Sequence, residues 1–170
     1  MPEPSLVIKV TAGKDDPERC NQAFTVAAAA VASGVPVSLW LTGESAWFGL
    51  PGRAEDFSLP HAAPLADLLA GVLAAGSVTV CTQCAARRNI EAGDLINGIR
   101  IAGAATFVAE IMAEDAQALV YLAASAASRS ARSLSTRFSC RGSTGGSVPT
   151  TQPSSMSARP GLRTRAGPCR

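Results

Sequence analysis

The sequence predicts an α/β fold: a three-layer α/β/α sandwich built on a mostly parallel five-stranded sheet. Three observations favour it. Short apolar segments of strand length alternate along the chain with segments of helix length. Hydrophobic residues make up 47% of the chain and charged residues 16%, which is enough to build a buried core. The first of these segments, LVIKVTA at residues 6–12, is rich in β-branched and other apolar residues, as in strands that are buried on both faces of a parallel sheet.

The first strand and the first helix have well-marked ends. Residues Leu6–Ala12 form the predicted strand, and the turn after them leads into Asp16, Pro17 and Glu18. A carboxylate at the cap, a proline at the first helical position and an acid in the first turn are typical of a helix start. Gly34 ends this predicted helix, because glycine commonly follows the last helical turn.

The rest of the domain continues the same alternation. Further strands are predicted at Val35–Leu41, Ser77–Cys81, about Ile99–Ile101 and Gln117–Leu122, and further helices at Leu65–Ala75, about Thr82–Asn89 and Ala104–Ala113. A proline-containing loop over residues 49–64 holds His61, the only histidine. Right-handed crossovers between parallel strands place helices on both faces of the sheet.

The composition changes after residue 123. All 13 Asp and Glu lie at or before Asp115; with seven Lys and Arg they give the front part a net charge of −6, whereas the tail has eight Arg and no acid. We therefore expect one domain over residues 1–123 and a disordered basic tail, rich in Ser, Arg, Pro and Gly, over residues 124–170. Three interpretations of the tail stay open: a solvated segment, a weak nucleic-acid contact and an unselected reading frame.

The sequence favours a cytoplasmic protein. The first four residues lack the basic region of a signal peptide, and no apolar stretch reaches the roughly 18 to 20 residues that a membrane helix needs. In the reducing cytoplasm, the five cysteines of the chain are expected to be catalytic, redox-active or metal-binding rather than paired in disulfides.

A C-x-x-C motif is the sharpest chemical feature of the chain. Cys81 ends the third predicted strand, at the edge where open α/β sheets bind ligands. Thr82 is expected to cap the next helix, which places Cys84 in its first turn and favours a thiolate there. Arg87 and Arg88 lie three and four residues beyond Cys84, close enough to add positive potential.

Two other interpretations of these cysteines stay open. Cysteine is often a small buried hydrophobic residue with no chemical role. A structural zinc site needs four nitrogen or sulfur ligands in tight pairs, and the other candidates, Cys20, His61, Cys140 and Cys169, are scattered. We therefore expect no metal and no cofactor.

The loop after the first strand should lie at the same edge of the sheet. Gly13 and Lys14 precede a predicted helix N-terminus, so Lys14 is a candidate for holding an anion beside the thiols. Gly13 and Glu44, which follow the first and second strands, are further candidates to line the site. His61 is either an acid or base of this site or an exposed loop residue.

Four segments of the chain together resemble a known family. They are LVIKVTAGKDDPER at residues 6–19, VPVSLWLTGE at 35–44, VCTQCAARRN at 80–89 and IAGAATFVAEIMAEDAQALVY at 101–121. Over about residues 5–122 the chain resembles the DsrE/DsrF-like family, which includes the sulfur-relay subunit TusD and the YchN-like proteins. The resemblance implies the same α/β/α fold.

The resemblance also bears on the cysteines. In DsrE-like and TusD-like members the reactive cysteine stands several residues before an Arg-Gly pair, and Cys81 matches that place. In YchN-like members the cysteine lies nearer the arginine, and Cys84 matches that one. The pair here is Arg88-Asn89, and asparagine, like glycine, tolerates a left-handed backbone.

The function that the resemblance implies is sulfur relay, in which a cysteine accepts sulfane sulfur as a persulfide and passes it to a partner. The resemblance thus implies a persulfide carrier or sulfurtransferase. Two alternatives stay open, a dithiol redox protein that uses both cysteines and a non-catalytic subunit or small-molecule binding module of the same fold. The expected partners are donor and acceptor proteins and related subunits. The oligomer would form through the surface around Trp47 and Phe48 and the Ala-rich helices.

Overall fold

A computed structural model describes residues 5–123, and the predicted tail, residues 124–170 with Cys140 and Cys169, lies outside the described residues. The strands are β1 Ser5–Val10, β2 Val37–Leu41, β3 Ser77–Cys81, β4 Ile99–Ala102 and β5 Ala116–Tyr121. The helices are α1 Pro17–Ala32, α2 Leu65–Ala75, α3 Thr82–Arg87 and α4 Ala104–Ile111, with 3-10 turns at Gly43–Gly49 and Ala92–Asp94. This arrangement confirms the predicted α/β fold class.

All five strands run parallel, in the order β4-β3-β2-β1-β5. The chain builds the sheet outward from β1 to β4 and then returns through α4 to place β5 beside β1. Because the strands are parallel, the carboxyl ends of all five lie at one edge, which brings the turns after β1, β2 and β3 together. Among residues 5–123, no helix is long and apolar enough to cross a membrane.

The main core lies between one face of the sheet and helices α1 and α2. Ile8, Leu39 and Val78 stand in register on three adjacent strands and have no exposed surface. Phe24 of α1 and Leu69 of α2 pack into the same cluster. Full burial stabilises each of these side chains by about 1.5–3 kcal/mol, so this face fixes the position of the carboxyl edge.

The other face of the sheet is covered by α4 and is held mainly by polar and aromatic contacts. Trp40 packs edge-to-face on Phe107 at 5.3 Å between ring centroids. Glu110 accepts hydrogen bonds from Ser38 Oγ and Trp40 Nε1, both at 2.7 Å, and from Arg100 at 2.6 Å. None of the α4 residues is fully buried. The Glu110 carboxylate is therefore the main polar attachment of this helix.

We expect Glu110→Gln to lower the free energy of unfolding by about 1–2 kcal/mol, because an amide oxygen cannot replace the charge-assisted bonds of the carboxylate. Urea denaturation measures the change, and amide hydrogen exchange should show faster opening of α4. Glu114→Gln is the matched control, since Glu114 is exposed one turn further along the chain. Equal stability of the two variants would contradict this role for Glu110.

Two expectations from the sequence are wrong in detail. Asp16 makes no side-chain hydrogen bond to cap α1; its carboxylate binds Arg19 at 2.9 Å instead. Phe48 does not offer an interface, because it is 2% exposed and packs edge-to-face against Phe24 and Phe57. The large hydrophobic side chains that are exposed within residues 5–123 lie in two places. Val108 is on α4 and Met112 follows it, while Leu119 and Val120 are on β5 and Leu122 follows it.

Candidate thiol site

Cys81 lies where β3 ends and α3 begins. Its backbone is extended, with φ −66° and ψ 128°, so Cys81 is the N-cap of α3. The expectation that Thr82 caps the helix is therefore wrong, because Thr82 is already the first helical residue. The Cys81 side chain is half-buried at the carboxyl edge of the sheet. At the N-cap, its sulfur faces the first N–H groups of the helix, which have no partner within the helix.

The surroundings of Cys81 favour its thiolate. Burial acts to raise the pKa of this thiol, but the backbone N–H groups of Cys84 and Gln83, the Cys84 thiol and the Lys9 charge outweigh burial, so the pKa lies below its ordinary value. The two N–H groups do not close a conventional side-chain cap, so they act as dipoles directed at the sulfur. A thiolate is the form that attacks sulfur or carbon electrophiles.

Cys84 lies one turn into α3 and is only 8% exposed. The backbone N–H of Gly43 donates to Cys84 Sγ at 3.2 Å, so the turn after β2 contacts this sulfur directly. The Cys84 thiol lies close enough to Cys81 to help lower the pKa of the Cys81 thiol. Both cysteines are free thiols. The C-x-x-C spacing therefore gives one half-buried and one buried thiol that lie close together.

Cys20 is different in kind. It is fully buried in α1, and burial, followed by the charges of Asp15 and Asp16, raises the pKa of its thiol to about 12. A thiol with that pKa is protonated at every physiological pH, so Cys20 acts as a packing residue.

Arg88 contacts the turn after β2 rather than a sulfur atom. Its guanidinium binds Glu44 at 2.7 Å and the Cys84 carbonyl oxygen at 3.3 Å, and it lies 5.8 Å from the centroid of the Trp47 ring. Arg87 is exposed on the last turn of α3. The structure thus joins Arg88 and Glu44, two of the predicted site residues, in one ion pair beside the thiols.

Lys9 is a functional candidate that sequence reasoning missed. It stands in register with Trp40, and Trp40 stands in register with Thr79, so all three side chains project from the same face of the sheet. Because side chains alternate along a strand, Cys81 shares that face with Thr79. The available signal was a lysine inside an apolar strand, but using it required the strand order.

The turns after β1 and β2 touch through two glycines. A Cβ on Gly13 would stand 2.8 Å from Glu44 Cβ, and a Cβ on Gly43 would stand 2.8 Å from the Thr11 carbonyl oxygen. Gly43 also has φ +54°, a left-handed conformation that favours glycine. Beside these turns lies a cavity of about 260 Å³ lined by Lys14, Glu44, Trp47, Phe48 and Arg53.

The sequence also singled out Asn89 and His61. Asn89 has φ +52°, which confirms that the turn after α3 takes a left-handed residue at this position. His61 is exposed in the loop before α2 and does not line the cavity. Within the part of the chain that the structure describes, no three His, Cys, Asp or Glu side chains are close enough together to hold a metal ion.

Comparison with known proteins gives one family. The sequence profile of the DsrE/DsrF-like family matches residues 5–121. The fold is similar to that of the YchN protein from E. coli, with a TM-score of 0.59 and 20% identity over 69% of this chain and 99% of that one. It is also similar to MTH1491, a protein of unknown function from Methanobacterium thermoautotrophicum, with a TM-score of 0.51, 11% identity and the same coverages, 69% and 99%. No curated protein matches significantly.

Proposed function

The chain belongs to the DsrE/DsrF-like family, and from this premise we propose that it carries sulfane sulfur as a persulfide on Cys81. The observation that supports Cys81 most strongly is its environment: two helix N–H groups, the Cys84 thiol and Lys9 lower the pKa of a sulfur that solvent can reach, against the effect of burial. Cys84, the other cysteine of the C-x-x-C motif, is almost fully buried and so is less accessible to a sulfur donor.

The transfer step is a displacement at sulfur. The Cys81 thiolate attacks the outer sulfur of a donor R–S–SH, the S–S bond of the donor breaks, and R–S⁻ leaves with the electron pair. The product is Cys81–S–SH, and no oxidant or reductant is consumed. In the unloading step an acceptor thiolate attacks the outer sulfur of Cys81–S–SH, the S–S bond breaks, and the Cys81 thiolate leaves with the electron pair. The groups that lower the pKa of the Cys81 thiol make it a better leaving group in this step.

A dithiol redox function is the second candidate, because the Cys84 thiol is close enough to Cys81 to help lower the pKa of the Cys81 thiol. If the Cys84 thiolate attacks the inner sulfur of the persulfide, a Cys81–Cys84 disulfide forms and HS⁻ leaves. Cys84 is only 8% exposed and its sulfur is held by the N–H of Gly43 at 3.2 Å, so this second step requires the buried sulfur to move toward Cys81. The two functions thus differ in the role of Cys84, which reacts in a dithiol redox protein and does not react in a sulfur carrier.

Both functions need free thiols, so the proposed location is the reducing cytoplasm. The proposed partners are a donor protein, an acceptor protein and related subunits. Their contacts would form at the carboxyl edge, where Cys81 is accessible.

Intact-mass spectrometry after brief incubation with a sulfane-sulfur donor tests the proposal. We expect the wild type to gain one sulfur atom, Cys81→Ser to gain none, and Cys84→Ser to keep the gain. Cys20→Ser is the matched control and should behave as the wild type. A loss of two hydrogen atoms that requires both cysteines would indicate the redox function. No mass change in any protein would favour a non-catalytic binding module.

A further inference from the structure

The cavity beside the thiols has the chemistry of a ligand site. Its volume of about 260 Å³ lies just below the roughly 300–1,000 Å³ of sites for drug-sized ligands, so it suits a small molecule. It is connected to Cys84 through the chain: Glu44 lines the cavity, and the preceding residue, Gly43, donates its N–H to Cys84 Sγ at 3.2 Å.

The charges around the cavity favour an anion. Among residues 5–123, the ion pairs formed include neither Lys14 nor Arg53, the two cations that line it. The one carboxylate in the lining, Glu44, is neutralised by Arg88 at 2.7 Å. Asp56 lines a second cavity that shares Lys14 with this one. Three cations, Lys14, Arg53 and Arg88, still outnumber the two carboxylates, Glu44 and Asp56.

The walls favour an organic ligand over an inorganic ion. Trp47 and Phe48 line the cavity, and the Arg53 guanidinium lies 5.3 Å from the centroid of the Trp47 ring. Phe48 is almost fully buried, so Trp47 provides the partly exposed aromatic surface, beside the guanidinium groups of Arg53 and Arg88. A short carbon chain can pack against the exposed part of Trp47, whereas a small inorganic anion gains nothing from it.

We propose that this cavity binds a small organic anion, so that a low-molecular-mass persulfide bearing a carboxylate can also load Cys81, in addition to the proposed donor protein. This inference rests on the proposed function. The carboxylate lies between Lys14 and Arg53, and the carbon chain lies against Trp47. The persulfide end then points toward the thiol pair, where Cys81 takes the outer sulfur and the carboxylate-bearing thiolate R–S⁻ leaves.

The test compares two donors that differ only in charge, the persulfide of 3-mercaptopropionate and the persulfide of its methyl ester. Loading is followed by intact mass at donor concentrations well below saturation. We expect the acid to load the wild type several-fold faster than the ester. Lys14→Met and Arg53→Met should each lose about fivefold of the rate with the acid and none with the ester. Arg100→Met, which removes the same charge on β4, should change neither rate.

Each outcome has one meaning. Loading by the ester shows that a variant is folded and reactive, so a loss with the acid alone is a loss of recognition. Equal rates for acid and ester in the wild type, or a preference that survives both variants, would overturn the inference and leave the sulfur carrier intact. Faster loading by thiosulfate with the same dependence on Lys14 would overturn the organic assignment. Failure of every donor to load would instead reject the proposed function.

Discussion

At pH 7 iodoacetamide should label Cys81 in the folded protein at least roughly a thousandfold faster than it labels Cys20. Thiolate is the reacting form, and a thiol of pKa about 12 is ionised to only about one part in 10⁵ at that pH. Cys20 is also fully buried, whereas Cys81 is half-exposed and its pKa is lowered. Peptide mapping after a timed quench measures both rates in one sample.

The pH dependence of the Cys81 rate gives the sign of its pKa shift. Labelling should fall as pH falls through the lowered pKa, and the midpoint should lie at lower pH than that of the unfolded chain. Lys9→Met removes one of the groups that lower this pKa, so its curve should move to higher pH. Lys14→Met is the control, because Lys14 does not contribute to the shift. Comparable rates for Cys81 and Cys20, or an unmoved curve for Lys9→Met, would contradict this view of the site.

The fold was predictable because its signals are local. Helix Leu65–Ala75 and strand Ser77–Cys81 have the predicted ends, since apolar periodicity and Gly76 mark them within a few residues of sequence. The cap of α1 shows the limit of such signals. Asp16 has the expected position, but Arg19 is within reach of its carboxylate and an ion pair replaces the cap.

The candidate site was predictable only in part, because its contacts cross between strands. The C-x-x-C motif at the end of β3 shows two thiols from sequence spacing alone. Their unequal burial depends on Gly43, which belongs to another strand's turn and packs over Cys84. The position of Lys9 relative to Cys81 depends on the strand order, and the position of Arg88 depends on its ion pair with Glu44. A local sequence pattern shows neither of these relations.

Gly43→Ala should be among the most damaging small substitutions in the domain, with a loss of about 2–4 kcal/mol in the free energy of unfolding. Two costs add up. An alanine at φ +54° is strained, and its Cβ would stand 2.8 Å from the Thr11 carbonyl oxygen, closer than real Cβ atoms approach. Relief requires the turn after β2 to move, which withdraws the Gly43 N–H from Cys84 Sγ. Cys84 should then become accessible to iodoacetamide.

Gly34→Ala separates the two costs. Gly34 has φ +80°, but a Cβ there would meet no atom within 4 Å, so this variant has the backbone strain without the collision and should lose only about 1 kcal/mol. Urea denaturation gives both losses, and timed labelling of Cys84 gives the local effect. If the two variants lose the same stability, the contact with Thr11 has no energetic weight. If Cys84 stays protected in Gly43→Ala, the turn after β2 does not hold the buried thiol in place, and the unequal reactivity of the two cysteines must come from α3 alone.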